Sequence, residues 1–160
     1  MTKKLLFAQV LAYLQQEWEN LVQAAKEAHS TATHPESAAE NKYDTFGLEA
    51  AYLAEGLSRR VAELKQTMQA YSNLPLRDFK GANIALGALV ELADKNNQVV
   101  HRFLIGPGGA GATVTESGIT YKVITPSSPL GQQLIGKEEG DEVNLLINGS
   151  TITFEIYSVY

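Results

Sequence analysis

Between Phe7 and Ala28 the apolar positions fall at Phe7, Leu11, Leu14, Trp18, Leu21, Ala25 and Ala28, alternating steps of four and three. That recurrence is the seam of a helix packed along a partner helix. A second seam is read at Tyr43, Phe46, Ala50, Leu53 and Leu57, continuing through Val61, Leu64, Met68 and Tyr71. Two successive steps of four around Leu57 amount to a stutter in it. The intervening HSTATHPES is polar, contains Pro35 and reads as the turn of a helical hairpin. Thr2 is placed to cap the first helix and Ser37 the second, and Asn73 with Pro75 closes the second. On these bounds the helices run for about 28 and about 35 residues, roughly 40 and 50 Å at 1.5 Å per residue. The rest of the chain is too short to wrap such a pair, so a projecting rod is expected.

From Ile84 onward the pattern changes to strands. IALGALVELA and QVVHRFLI flank Asp-Lys-Asn-Asn as one hairpin, and GITYKVI is a further strand. VNLLI and STITFEIYSV are separated by Asn148-Gly149, the strongest short-range mark of a two-residue hairpin. Ser128, Pro129, LGQQLI and Gly136 supply a cap, a first-turn proline, a short helix and a terminating glycine in that order. The fold class is therefore α+β, with an antiparallel coiled-coil hairpin over residues 1–72, a linker over 73–82 and a small sheet domain with one short helix over 83–160.

Composition narrows the chemistry. The 160 residues are 44% apolar and 19% charged, as in ordinary globular proteins. The absence of cysteine excludes a disulfide scaffold, a thiol nucleophile and thiolate-held metal, leaving His29, His34 and His101 as nitrogen ligands. The first apolar stretch is interrupted by Gln15, Gln16 and Glu17, too early for a membrane span, and a cytoplasmic protein without membrane contact is expected. The net charge of −5 argues against broad phosphate neutralisation of nucleic acid. All of it lies in one window, where Glu27, Glu36, Glu40, Asp44, Glu49 and Glu55 face the single base Lys42. On the hairpin reading this window is the free end. A solvated helix end explains such a run as well as a functional tip does.

Candidate motifs divide on context. Gly106-Pro-Gly108-Gly-Ala-Gly111 matches a dinucleotide-binding fingerprint by letter, but β-like TVTESGITYKV follows it where phosphate binding needs a helix N-terminus. A loop is the better reading. His29 and His34, five residues apart without a third ligand, read as exposed turn residues, and Trp18 as part of the seam. The chain contains no Ser-His-Asp arrangement, P-loop or HExxH run, so no autonomous catalytic centre is expected.

The run SSPLGQQLIGKEEGDEV, from Ser127 to Val143, followed by a hairpin ending FEIYSV, closely resembles the C-terminal domain of the Gre family of bacterial transcript-cleavage and elongation factors. The order of parts resembles that family too, an N-terminal antiparallel coiled coil before an FKBP-like sheet domain. The resemblance implies a monomeric factor whose partner is RNA polymerase. Its globular domain would dock at the rim of the secondary channel through Ser128, Pro129, Leu130, Gly136, Lys137, Gly140, Asp141 and Glu142. Its coiled coil would reach towards the active centre, meeting nucleic acid only indirectly, within the transcription complex.

Cleavage members of the family carry Asp-x-x-Glu-Asn at the tip, and the pair can hold a second Mg2+ for the polymerase's own hydrolysis of transcript. Here the matching stretch is Ser37-Ala38-Ala39-Glu40-Asn41, with serine in place of the first carboxylate. The resemblance thus implies Glu40, with Glu36 as a substitute, as the tip carboxylates, and Glu40 with Asp44 as ligands of a Mg2+ shared with the polymerase. Ser37-x-x-Glu40 also reads as a capping box needing no chemistry. Two functions stay open, a secondary-channel factor that stimulates cleavage and a channel-occupying inhibitor or modulator. The incomplete pair tips the reading towards the modulator, and an isomerase or chaperone built on the FKBP-like sheet stands third.

Overall fold

The computed structural model describes residues 3–160, and the proposed cap at Thr2 lies outside them. Helix α1 (Lys3–Thr33) and helix α2 (Phe46–Asn73) precede six strands, β1 (Leu89–Ala93), β2 (Val99–Ile105), β3 (Thr113–Glu116), β4 (Ile119–Ile124), β5 (Glu142–Ile147) and β6 (Ser150–Val159). A short helix α3 (Pro129–Leu134) lies between β4 and β5. No helix among the described residues is long and apolar enough to cross a membrane. The chain divides into two compact units, residues 12–69 and residues 3–11 with 70–160.

The first of these units is the helical hairpin. Val22, Ala25, Lys26 and His29 of α1 line one groove with Ser58 and Val61 of α2, and earlier in α1 the Phe7 ring meets that of Tyr71, later in α2, at 6.0 Å, so the two helices run antiparallel. The α1 seam stands as read, with Leu14 and Ala28 buried and Trp18, Leu21 and Ala25 partly so. The α2 seam differs in its N-terminal half. Phe46 and Leu53 are 58% and 57% exposed, while Gly47, Ala50, Ala54 and Leu57 turn inward and lead into Val61, Leu64 and Met68. These steps alternate three and four without a stutter. Small residues replace large ones because the chain passes very close here: a Cβ on Gly47 would stand 2.6 Å from the Ser37 carbonyl oxygen.

The helix ends also differ from expectation. HSTAT continues α1 instead of opening the turn, and within it Thr31 and Thr33 donate their hydroxyls back to the Glu27 and His29 carbonyls, both at 3.0 Å. Helix α2 begins at Phe46, not near Ser37.

The second unit is built on a mixed sheet in the order β3-β4-β2-β1-β6-β5, with β2 and β4 parallel and every other neighbouring pair antiparallel. One core gathers Val90 and Leu92 of β1, Phe103 and Ile105 of β2, Phe154 and Ile156 of β6, and Leu134 of α3. Phe79 and Ile84 join it, 0% and 1% exposed. The segment 73–82, expected as a linker, is thereby part of this unit, as are the first two and a half turns of α1 with Leu6 and Val10 fully buried. The boundaries 1–72 and 83–160 miss this because one aromatic in a polar run carries no periodicity.

Strand β1 opens at Leu89, five residues later than IALGALVELA suggests. Gly87 adopts φ +93° while its amide bonds the Ile105 carbonyl, and Ile84 exchanges backbone bonds with Gly136 and Lys137. Strand β3 pairs with β4 across Ser117-Gly118, both at positive φ, as Asn148-Gly149 are between β5 and β6.

Beside this core Glu91, 8% exposed, takes Arg102 Nε at 2.9 Å and Tyr121 OH at 3.2 Å on one oxygen and Ser158 Oγ at 2.8 Å on the other. Three donors offset the desolvation of the carboxylate. Burial, then the Glu91 charge, raises the Tyr121 phenol above its usual range and keeps it a donor.

Both sheet edges are met by glutamine. Gln9 donates to the Thr115 carbonyl at 2.7 Å and accepts the Thr115 amide at 2.9 Å on β3, and Gln133 does the same for Asn144 of β5 at 2.9 and 3.0 Å.

Lys3 donates to the Arg77 and Tyr160 carbonyls at 2.8 and 2.9 Å and lies over the Phe79 ring. Burial lowers its ammonium from 10.5 to about 8, Arg77 adding to the effect and Asp78 opposing it. The unfolded chain then holds a proton that the folded chain has released between these values. The stability contributed by the neutral amine is present above pH 10.5 and is lost as pH falls through about 8. In the 13C-methylated protein, the Lys3 resonance is expected to titrate near pH 8, and a midpoint with the other lysines would contradict the burial.

Candidate functional site

The sequence candidates fall in two groups, one in each unit. At the tip, His34 accepts the Glu36 amide on Nδ1 at 3.1 Å, and Pro35–Ser37 forms a single 3₁₀ turn. The loop then closes on Asp44, whose Oδ2 accepts the Glu40 amide and Oδ1 the Phe46 amide, both at 3.2 Å. Asn41 Oδ1 accepts the Tyr43 amide at 2.8 Å, so the loop from Glu40 to Phe46 is held by two short polar side chains.

The capping box at Ser37 and Glu40 is not formed. Ser37 ends the 3₁₀ turn, 8% exposed, with its carbonyl against Gly47. The start of α2 is instead stabilised by Asp44 and by Thr45, whose carbonyl takes the Glu49 amide at 2.8 Å and whose hydroxyl meets Glu49 Oε1 at 3.0 Å. Asp-Thr followed four residues later by Glu is a legible start signal, and the earlier Ser-x-x-Glu match masked it.

Of the candidate carboxylates, Glu36 and Glu40 are exposed, whereas Asp44 has both oxygens engaged by backbone amides. No group of three or more His, Asp or Glu side chains gathers as a metal-holding cluster among the described residues. As a self-contained cation site the tip does not fit, because it offers two carboxylates and no further ligand.

The second group, from Ser128 to Glu142, mostly builds the local framework. Ser128 Oγ caps α3, accepting the Gly131 amide at 3.0 Å while donating to the Thr125 carbonyl at 2.7 Å. Gly136 and Lys137 exchange backbone bonds with Ile84, and Asn83 Nδ2 reaches the Gly136 carbonyl at 2.9 Å. Asp141 accepts the Glu138 amide at 2.9 Å, and Gly140 and Asp141 pair with Ile156 through the backbone. Pro129, Gly136, Gly140 and Glu142 are exposed and Lys137 half-buried, while Leu130 packs against the core. Glu142 stands directly across from Glu155 in the β5–β6 register.

The glycine-rich run between β2 and β3 is a packing device. The Gly106 and Gly111 amides bond the Ile124 and Val123 carbonyls at 2.8 and 2.9 Å, so they face no ligand. A Cβ on Gly106 would collide with the Tyr71 hydroxyl, which donates to the Gly108 carbonyl at 2.8 Å. Burial raises that phenol above its usual range.

Residues 80–160 match the family described as transcription elongation factor GreA/GreB, C-terminal. Over 151 residues the chain is 30% identical to transcription elongation factor GreA of Desulfovibrio desulfuricans, covering 93% of this chain and 84% of that one. It is also 30% identical over 151 residues to GreA of Nitratidesulfovibrio vulgaris, covering 93% and 85%. Among solved structures, Gfh1 of Thermus aquaticus is similar at 22% identity and a TM-score of 0.41, over 98% of this chain and 95% of that one. The chain belongs to the GreA/GreB family of transcription elongation factors.

Proposed function

We propose that the protein binds RNA polymerase, enters its secondary channel by the hairpin and modulates elongation there without stimulating transcript cleavage. The observation that carries this reading is the tip's carboxylate inventory. Serine stands at the first acidic position and is buried, Asp44 is engaged by the Glu40 and Phe46 amides, and only Glu36 and Glu40 remain exposed. The reading assigns the chain no cation of its own, and these two are the carboxylates left towards a Mg2+ shared with the polymerase. Pro129, Lys137 and Glu142 are the residues of the family motif whose side chains are available for the rim contact. The second reading, a cleavage factor acting through Glu40, is favoured by the exposure of Glu40 beside Asn41.

Transcript shortening in stalled elongation complexes separates the two. The wild-type protein is expected to slow nucleotide addition and to leave transcript length at its basal rate, with Glu40→Ala no different in cleavage and still bound. Ser37→Asp is not expected to create cleavage, because position 37 lies against Gly47 and not at the surface. Strong wild-type shortening that disappears in Glu40→Ala would establish the cleavage factor instead.

A further inference from the structure

The N-terminal half of α2 carries more apolar surface than its seam uses. Gly47, Ala50 and Ala54 face inward, while Phe46 and Leu53, 58% and 57% exposed, lie seven residues apart on one side of the helix. That spacing is about two turns, roughly 10 Å along the axis. Tyr43, 80% exposed, precedes Phe46 by three residues in the loop, and Leu48 and Tyr52, 54% and 66% exposed, lie on the side of α2 turned away from the seam, apart from this line. Phe46 and Leu53, large, exposed and aligned on one side of the helix, mark an interaction surface, where scattered side chains do not.

The surrounding charge says what covers them. Glu36, Glu40, Asp44, Glu49 and Glu55 accompany these residues along the chain, and the one base of the window, Lys42, sits over the Tyr43 ring at 5.0 Å. A second copy of the tip would bring an equal negative charge against this one, and a phosphate backbone would be repelled in the same way. An apolar surface rimmed by lysine or arginine is complementary on both counts.

We infer that Phe46 and Leu53, flanked by Tyr43, form a docking stripe for a basic-rimmed apolar protein surface of the polymerase. The inference rests on the polymerase reading above and adds to it the residues and the chemistry of the contact. It is separate from cleavage, since no tip carboxylate is needed for apolar docking.

Phe46→Gln with Leu53→Gln in the full-length protein tests it, with purified polymerase immobilised and binding read by surface plasmon resonance at two salt concentrations. Truncating buried interface anchors is expected to weaken binding about tenfold or more. Wild-type binding should weaken with salt, and the melting temperature of the double variant should match wild type. Equal binding by wild type and variant would overturn the stripe while leaving the polymerase reading intact. Failure of the wild type to bind would remove the polymerase reading and the stripe with it. A lowered melting temperature would make the stripe structural. Self-association or binding of a labelled RNA by the wild type, abolished in the variant, would assign the stripe to a second copy or to nucleic acid and overturn the inference.

Discussion

Gly131→Ala is expected to dismantle the start of α3 and to lower the stability of the sheet unit by about 3 kcal/mol, adding the overpacking cost to the loss of a helix cap. The added Cβ would stand 1.9 Å from the Thr125 carbonyl oxygen and 2.9 Å from Ser128 Oγ. The first of these is backbone and cannot rotate away. Relief requires moving Thr125 from Ser128, whose hydroxyl bonds both the Thr125 carbonyl and the Gly131 amide. Leu134, fully buried, would leave the core with the helix. Hydrogen exchange should show lost protection across the segment from Thr125 to Ile147. Exchange matching wild type would mean that the close approach has no energetic consequence.

Leu14→Asp should be the most damaging change in the hairpin. Leu14 is 1% exposed, and an unpaired carboxylate there costs several kcal/mol, on the order of the hairpin's whole stability. Trp18, the single tryptophan and one turn further along α1, reports the transition by fluorescence. Leu53→Asp is the matched control. A seam through Phe46 and Leu53 makes it equally harmful, whereas its exposed position holds the change within about 0.5 kcal/mol. Denaturation midpoints that fall together for the two variants would restore the seam first read from the sequence.

That contrast explains what the sequence could and could not disclose. The α1 seam was legible because Phe7, Leu14 and Trp18 are both large and periodic, so bulk and spacing agree. In α2 they conflict: the larger residues Phe46 and Leu53 suggest one register, and Gly47, Ala50 and Ala54 continue the heptad of Leu57, Val61 and Leu64 in another. Packing near Ser37 favours the small residues, since nothing larger than hydrogen fits at Gly47. The tip was misread for a related reason. Ser37 and Glu40 satisfy a capping pattern in letters, but the chain from Pro35 to Thr45 is organised by Asp44 and Asn41, and such loop bonds have no period to detect. Most of the sheet followed from alternation and turn residues, and Asn148-Gly149 forms its hairpin as read. Strand β3 has too few residues for alternation to separate it from the loop before it. The Ser128–Glu142 motif was recognisable, yet most of its polar atoms hold α3 and β5 to their neighbours, so resemblance there reports folding more than contact.

The glutamines at the two sheet margins have a consequence for how the protein behaves at high concentration. A margin strand invites another chain to continue the ladder, and this is the route by which sheets from different molecules merge into fibrils. Gln9 and Gln133 each present one carbonyl and one amide hydrogen to a margin residue, the same pair that an incoming strand would offer. The side chain thus imitates the stranger and occupies its place. Because Gln9 belongs to α1 and Gln133 to α3, each margin is guarded by an element that must already be folded. The interval during folding before those helices settle is when this sheet is most open to merging with its own copies.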